Sequence, residues 1–183
     1  MLFDGTDDEL YRTNANLNAD FPAKAATVDF AWSMWIKVVN PVTYNSFMGK
    51  GGAFSGVIDY ATDIIGLGVT DSEATALALY PDVNDTMITW THIVFSFAGA
   101  DPTGTGTLWV SQGSFGSLAN ATSLIFTNVK DAYDSESQAF HLGAGGYGGG
   151  NYEGYIYQPI IFDRTLDAGE AEELYDNGIK GVN

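Results

Sequence analysis

28-VDFAWSMWIKV-38 changes character at every second residue, with Phe30, Trp32, Met34 and Ile36 on one side and Ala31, Ser33, Trp35 and Lys37 on the other. Period-two alternation rich in aromatic and β-branched residues predicts a strand buried on one face. The first set is expected to face a core. The same texture returns in 88-ITWTHIVFSF-97, 107-TLWVSQG-113, 123-SLIFTNV-129 and 155-YIYQPIIF-162, with Gly, Asn, Asp and Thr between the runs. One stretch reads as a helix, 167-DAGEAEELYDNG-178: Asp167 caps it, Glu170 completes the reciprocal capping pattern, and Asn177-Gly178 supply the stop. Strands throughout with one short C-terminal helix predict an all-β fold, an antiparallel two-sheet β-sandwich of about a dozen strands.

Composition narrows the function classes. A chain of 183 residues, 45% hydrophobic and 14% aromatic, carries enough apolar surface for one core, and 1–183 is expected to be a single domain. Seven Lys+Arg against 23 Asp+Glu give a net charge of −16, which repels phosphate backbones and anionic membrane surfaces, so no nucleic-acid partner is expected. With no cysteine, disulfides, thiolate metal sites and cysteine catalysis are excluded. No apolar run reaches bilayer length, so membrane insertion is not expected, and the first residues lack the pattern of a signal peptide.

Four pieces in order carry a family resemblance: 3-FDGTDD-8; 30-FAWSMWIK-37 followed by 48-MGKGG-52; 90-WTHIVFSF-97 with 107-TLWVS-111; and 152-YEGYIYQPIIFDRTLDAGEAEELY-175. Together they resemble the laminin-G-like, concanavalin A-like jelly-roll domains. The resemblance spans nearly the whole chain and implies two curved antiparallel sheets. It implies no single function, because this fold hosts lectins, glycan-cleaving enzymes, adhesion domains and virion parts.

Catalysis on such a scaffold needs two carboxylates facing across a cleft. None of Glu9, Glu73, Glu136, Glu153, Glu170, Glu172 and Glu173 lies in a clear strand interior, and the Glu-x-Asp-x-x-Glu strand motif of the related glucanases is absent. Arg12 and Arg164 fall in turn-like segments, away from a lyase arrangement with His92 or His141. A non-enzyme is therefore expected.

For binding, alternation puts Trp35, Trp90 and Trp109 opposite the core-facing residues of their strands. Two readings stand open for these rings: sugar-stacking platforms, or positions covered by loops and neighbouring strands. His92 alternates with Trp90 and Val94 and should point away from the core, as a binding residue or as a satisfied polar group. Tyr147 completes the candidate set from the loop 143-GAGGYGGGNYEG-154.

Asp4, Asp7 and Asp8 around Gly5 offer oxygens to a hard cation such as Ca2+, or form a solvated turn. Many relatives hold calcium between this turn and an acidic pair in the closing strand, which here reads Ile156-Tyr157-Gln158-Pro159. Asp82 and Asp85 are an alternative rim site. The sequence-level expectation is a non-catalytic recognition and structural module at an extracellular or virion surface, a coat, decoration, fibre or cell-surface component. Its partner would be a protein or a glycan, in a possible homo-oligomer. A calcium-dependent lectin is the alternative, and a glycan hydrolase or lyase the third reading.

Overall fold

The period-two runs become strands of two sheets. The structure, a computed structural model, describes residues 1–17, 29–40, 45–50, 54–59, 64–69, 75–79, 90–99, 103–110, 121–127, 139–144 and 150–179. One sheet has six strands in the spatial order β1 (Leu2–Asp4), β13 (Glu153–Phe162), β3 (Phe30–Val38), β8 (Thr91–Ala98), β9 (Thr103–Val110) and β10 (Ala121–Thr127). The other has seven. These are β2 (Leu10–Arg12), β11 (Phe140–Leu142), β4 (Asn45–Lys50), β5 (Phe54–Asp59), β6 (Ile64–Val69) and β7 (Thr75–Leu79), with the two-residue β12 (Gly150–Asn151) beside β4. Among the described residues every pairing is antiparallel except β12 with β4.

The core lies between the sheets. Phe30, Trp32, Met34 and Ile36 of β3 point into it as the alternation requires, joined by Ile93, Phe95 and Phe97 of β8 and Leu108 and Val110 of β9. Phe47, Met48, Ile58 and Ile65 meet them from the other sheet. Trp32 crosses the gap edge-on to Phe47, with ring centroids 5.7 Å apart. Each such side chain contributes about 2 kcal/mol through burial. Gly56 faces the Phe47 ring so closely that no side chain would fit there.

Strand β13 breaks its own alternation. Tyr157 is opposite Trp35 and Ile160 opposite Ser33, so one extra residue sits between them as a bulge. Gln158 takes a positive φ of 48° there, and Pro159, which has no N–H for a ladder, follows it. The bulge resets the parity so that Tyr155, Tyr157, Ile160 and Phe162 face away from the sandwich core while Ile156 and Ile161 face into it.

The helix α1 (Ala168–Ile179) follows directly. Its start matches the expected reciprocal cap: the Glu170 N–H donates to Asp167 Oδ1 at 2.9 Å, and the Asp167 N–H donates to Glu170 Oε2 at 3.0 Å. Arg164 grips the same Glu170 carboxylate with two nitrogens, at 2.6 and 3.0 Å, which lowers the Glu170 pKa. The expected stop at Asn177-Gly178 is overrun, because the helix includes both residues. Among the described residues no helix is long and apolar enough to cross a membrane.

Candidate functional site

Alternation correctly sends Trp35, His92 and Trp109 to the outer face of the six-stranded sheet, but that face is covered. Their relative exposures are 3%, 1% and 6%. Trp35 stacks on Tyr175 of α1, with centroids 5.3 Å apart and planes 27° apart, and His92 lies 4.9 Å from the same indole. Trp109 packs with Ala31, Val94, Leu166 and Ala171, and the half-buried Phe162 and Leu174 close the cluster. Leu166 is tied down by its N–H, which donates to Ser96 Oγ at 2.8 Å. Trp35, His92 and Trp109 are therefore corrected from ligand-facing candidates to a second, smaller core beneath the helix.

The physical reason is that a strand's alternation reports the side of a sheet and says nothing of what lies on it. A signal was present: Ala171, Leu174, Tyr175 and Gly178 recur at helical spacing in 167–178, and that stripe had to be buried on something. The outward residues Ala31, Trp35, Val94 and Trp109 supply the surface it needs. His92 keeps a polar partner in this core, sharing a hydrogen bond of 2.8 Å between its Nε2 and Ser33 Oγ. Burial lowers its pKa from 6.5 to about 3, which keeps the ring neutral.

Trp90 has a different environment. It lies just before β8 and stays half-buried. Its ring is 6.1 Å from that of Tyr155 and 6.4 Å from that of Tyr157. Tyr155 is opposite Lys37 and Leu2, so Leu2, Tyr155 and Lys37 form one row across three strands, and Trp90 lies one residue beyond Thr91, which is opposite Ile36. Tyr155 is 36% exposed and Leu2 54%. The result is an aromatic surface at one end of the outer face. Sequence reasoning named Trp90 and missed Tyr155 and Tyr157; their i, i+2 spacing in 155-YIY-157 was the available signal.

Tyr147 lies outside the described residues, as do Asp82 and Asp85. Asp4, Asp7 and Asp8 do converge, each offering a carboxylate oxygen within 4.8 Å of the others, all on exposed side chains. Gly5, at φ 77°, makes the turn. Two oxygens of the set already accept backbone hydrogen bonds: the Thr6 N–H donates to Asp4 Oδ1 at 2.8 Å and the Asp4 N–H to Asp8 Oδ2 at 3.0 Å. In the closing strand Glu153 pairs with Asp4 in register, and its carboxylate accepts from Asn40 at 3.0 Å. With one converging oxygen each, the three carboxylates supply half or less of the six to eight oxygens that calcium takes, so these residues fit a complete calcium shell only in part.

The other glutamates occupy separate places. Glu9 meets His141 Nδ1 at 2.8 Å, and His141 supports the exposed Tyr11 ring. Glu172 and Glu173 are on the exposed side of α1. Glu73 and Glu136 lie outside the described residues.

No family model matches the chain, and no curated protein matches it. Solved structures do. Domain 4 of AbnA, a GH43 extracellular arabinanase from Geobacillus stearothermophilus solved with arabinotriose, is 14% identical with a TM-score of 0.57, over 94% of this chain and 74% of that one. A Bacteroides ovatus protein assigned provisionally to carbohydrate binding is 14% identical with a TM-score of 0.61, over 91% of this chain but only 44% of its own length. The CBM40 of Ruminococcus gnavus IT-sialidase, bound to α2,3-sialyllactose, is 12% identical with a TM-score of 0.53, over 82% and 83% of the two chains. At such identities the likeness shows the fold alone: a two-sheet β-sandwich.

Proposed function

We propose that the chain is a non-catalytic glycan-recognition module whose ligand stacks on Trp90, Tyr155 and Tyr157. One observation carries this reading. The Trp90 ring lies 6.1 Å from that of Tyr155 and 6.4 Å from that of Tyr157, and Tyr155, 36% exposed, is held by ladders to β1 and β3 on its two sides. Aromatic rings fixed in this way present flat apolar surface to the C–H face of a sugar and lose little conformational entropy on binding. The sugars named for the arabinanase domain and the sialidase module support the choice of ligand class. The laminin-G-like assignment within this architecture rests on the four sequence pieces, and action at an extracellular or particle surface is part of the same proposal.

A second reading uses the same surface. Leu2, opposite Tyr155, is 54% exposed, and an apolar side chain of this kind suits a protein partner on a virion or cell surface. A broad glycan array decides between them, run with the purified chain and with Trp90→Ala and Tyr155→Ala, in calcium and in chelator. Binding by the wild type that both variants lose establishes glycan recognition at this surface. Silence of the folded wild type in both buffers overturns it and favours the protein partner.

A further inference from the structure

We propose that the glycan this surface takes is acidic, with a sugar carboxylate paired to Lys37. The inference rests on the glycan reading above and adds its chemical class. Lys37 is the residue of β3 directly opposite Tyr155, and its neighbour Ile36 is opposite Thr91, the residue after Trp90. The Trp90 and Tyr155 rings meet across the strand that carries it. Lys37 is half-buried, yet it pairs with no carboxylate among the described residues.

That is unusual in a chain with 23 acidic and seven basic residues, where a base has many acids to choose from. Arg164 holds Glu170, Lys50 is fully buried within the sandwich, and Arg12 is on the exposed strand β2 at the far sheet. Glu153, two residues from Tyr155 and on the same face, has its carboxylate turned to Asn40. Lys37 is thus the described cation set among the rings of the proposed surface.

A neutral sugar laid over the rings would strip water from the Lys37 ammonium and give it no counter-charge, which costs free energy. A sugar carboxylate replaces that water with a charge-assisted hydrogen bond in a partly desolvated setting, where such bonds are roughly twice as strong as neutral ones. The net charge of −16 does not forbid this pair, because repulsion from distant carboxylates is screened over about 8 Å at physiological ionic strength. The ligand class is therefore a glycan whose ring offers an apolar face for stacking and a carboxylate at its edge. Uronates and sialates both have this chemistry.

The test is titration calorimetry of the full chain with trigalacturonate, 3′-sialyllactose and neutral maltotriose, repeated with Lys37→Met and Lys37→Gln. Methionine keeps the apolar stem over the rings and removes the charge. The expected result is that the wild type prefers at least one acid over maltotriose by about tenfold or more, and that both variants, folded by circular dichroism, lose that preference. Binding of one acid alone identifies the source of the carboxylate. If the variants bind acids as the wild type does while Trp90→Ala abolishes binding, the Lys37 proposal falls and the aromatic surface stands. If the wild type binds only neutral glycans, the proposal also falls. If no saccharide binds, both readings fall together.

Discussion

Gly178 of α1 rests directly on Trp35 Nε1, so closely that a Cβ at position 178 would overlap the indole. The glycine is placed in the helix for this approach, since it takes no left-handed conformation there. Gly178→Ala, which at an ordinary helix position gains about 1 kcal/mol, is expected to reverse sign and destabilise by about 1–3 kcal/mol. Urea denaturation of the two proteins measures it. A more stable variant would show that the helix is not held against Trp35.

The two tryptophans on either side of the helix boundary should behave oppositely. Trp35→Ala removes a buried ring from under Tyr175 and is expected to cost about 3–5 kcal/mol. Trp90→Ala should cost about 1 kcal/mol or less and lower glycan affinity by about tenfold or more. Thermal melts and calorimetric titrations of both variants separate the roles. The scheme fails if Trp90→Ala unfolds the chain and Trp35→Ala leaves it intact.

Acid should loosen the second core through His92. Its folded pKa of about 3 lies below the unfolded value of 6.5, so the neutral ring stabilises the fold fully above pH 6.5. That stability is lost as pH falls from 6.5 towards 3, because the unfolded chain binds the proton first. The loss is at most about 5 kcal/mol. His92→Gln is expected to flatten the stability profile in this window relative to the wild type, read as unfolding free energy at successive pH values. Parallel profiles would remove His92 as the cause.

The opening turn should hold without a metal. Asp4 and Asp8 use carboxylate oxygens to accept the Thr6 and Asp4 N–H groups, a self-contained arrangement on exposed side chains. Calcium at 1 mM followed by excess chelator is therefore expected to move Tm by less than about 2 °C. A larger rise that Asp4→Asn and Asp8→Asn both cancel would instead make this turn a calcium site.

The helix cap is the simplest check on the C-terminal segment. Asp167→Ala removes the acceptor for the Glu170 N–H, and about 1 kcal/mol of stability should go with it. Asp167→Asn or Asp167→Ser restores most of that if the side-chain oxygen is what matters. Equal losses in all three variants would point to another role for the carboxylate.

What could be read in advance followed from local periodicity. The side of β3 on which Trp32 and Trp35 lie, and the cap from Asp167 to Glu170, depend on neighbours within a few residues and were legible. The burial of Trp35, His92 and Trp109 depends on residues 166–178 folding back onto strands up to about 140 positions earlier, and alternation carries no information at that range. The Trp90, Tyr155 and Tyr157 cluster was hidden for a similar reason. Its three rings come together only once β13 and β8 have both paired with β3.

The place of β13 between β1 and β3 also sets an order of events during synthesis. Residues 153–162 supply an interior strand to a sheet whose other members all precede them in the chain. Until that segment leaves the ribosome, β3 has an open edge and the apolar outer face of the sheet lacks its helix. Such a topology is rich in non-local pairings, which slows folding and prolongs the interval in which nascent chains can pair with one another. The same late closure that buries Trp35 leaves the outer face of this sheet open to contact between nascent chains until residues 166–178 have been made.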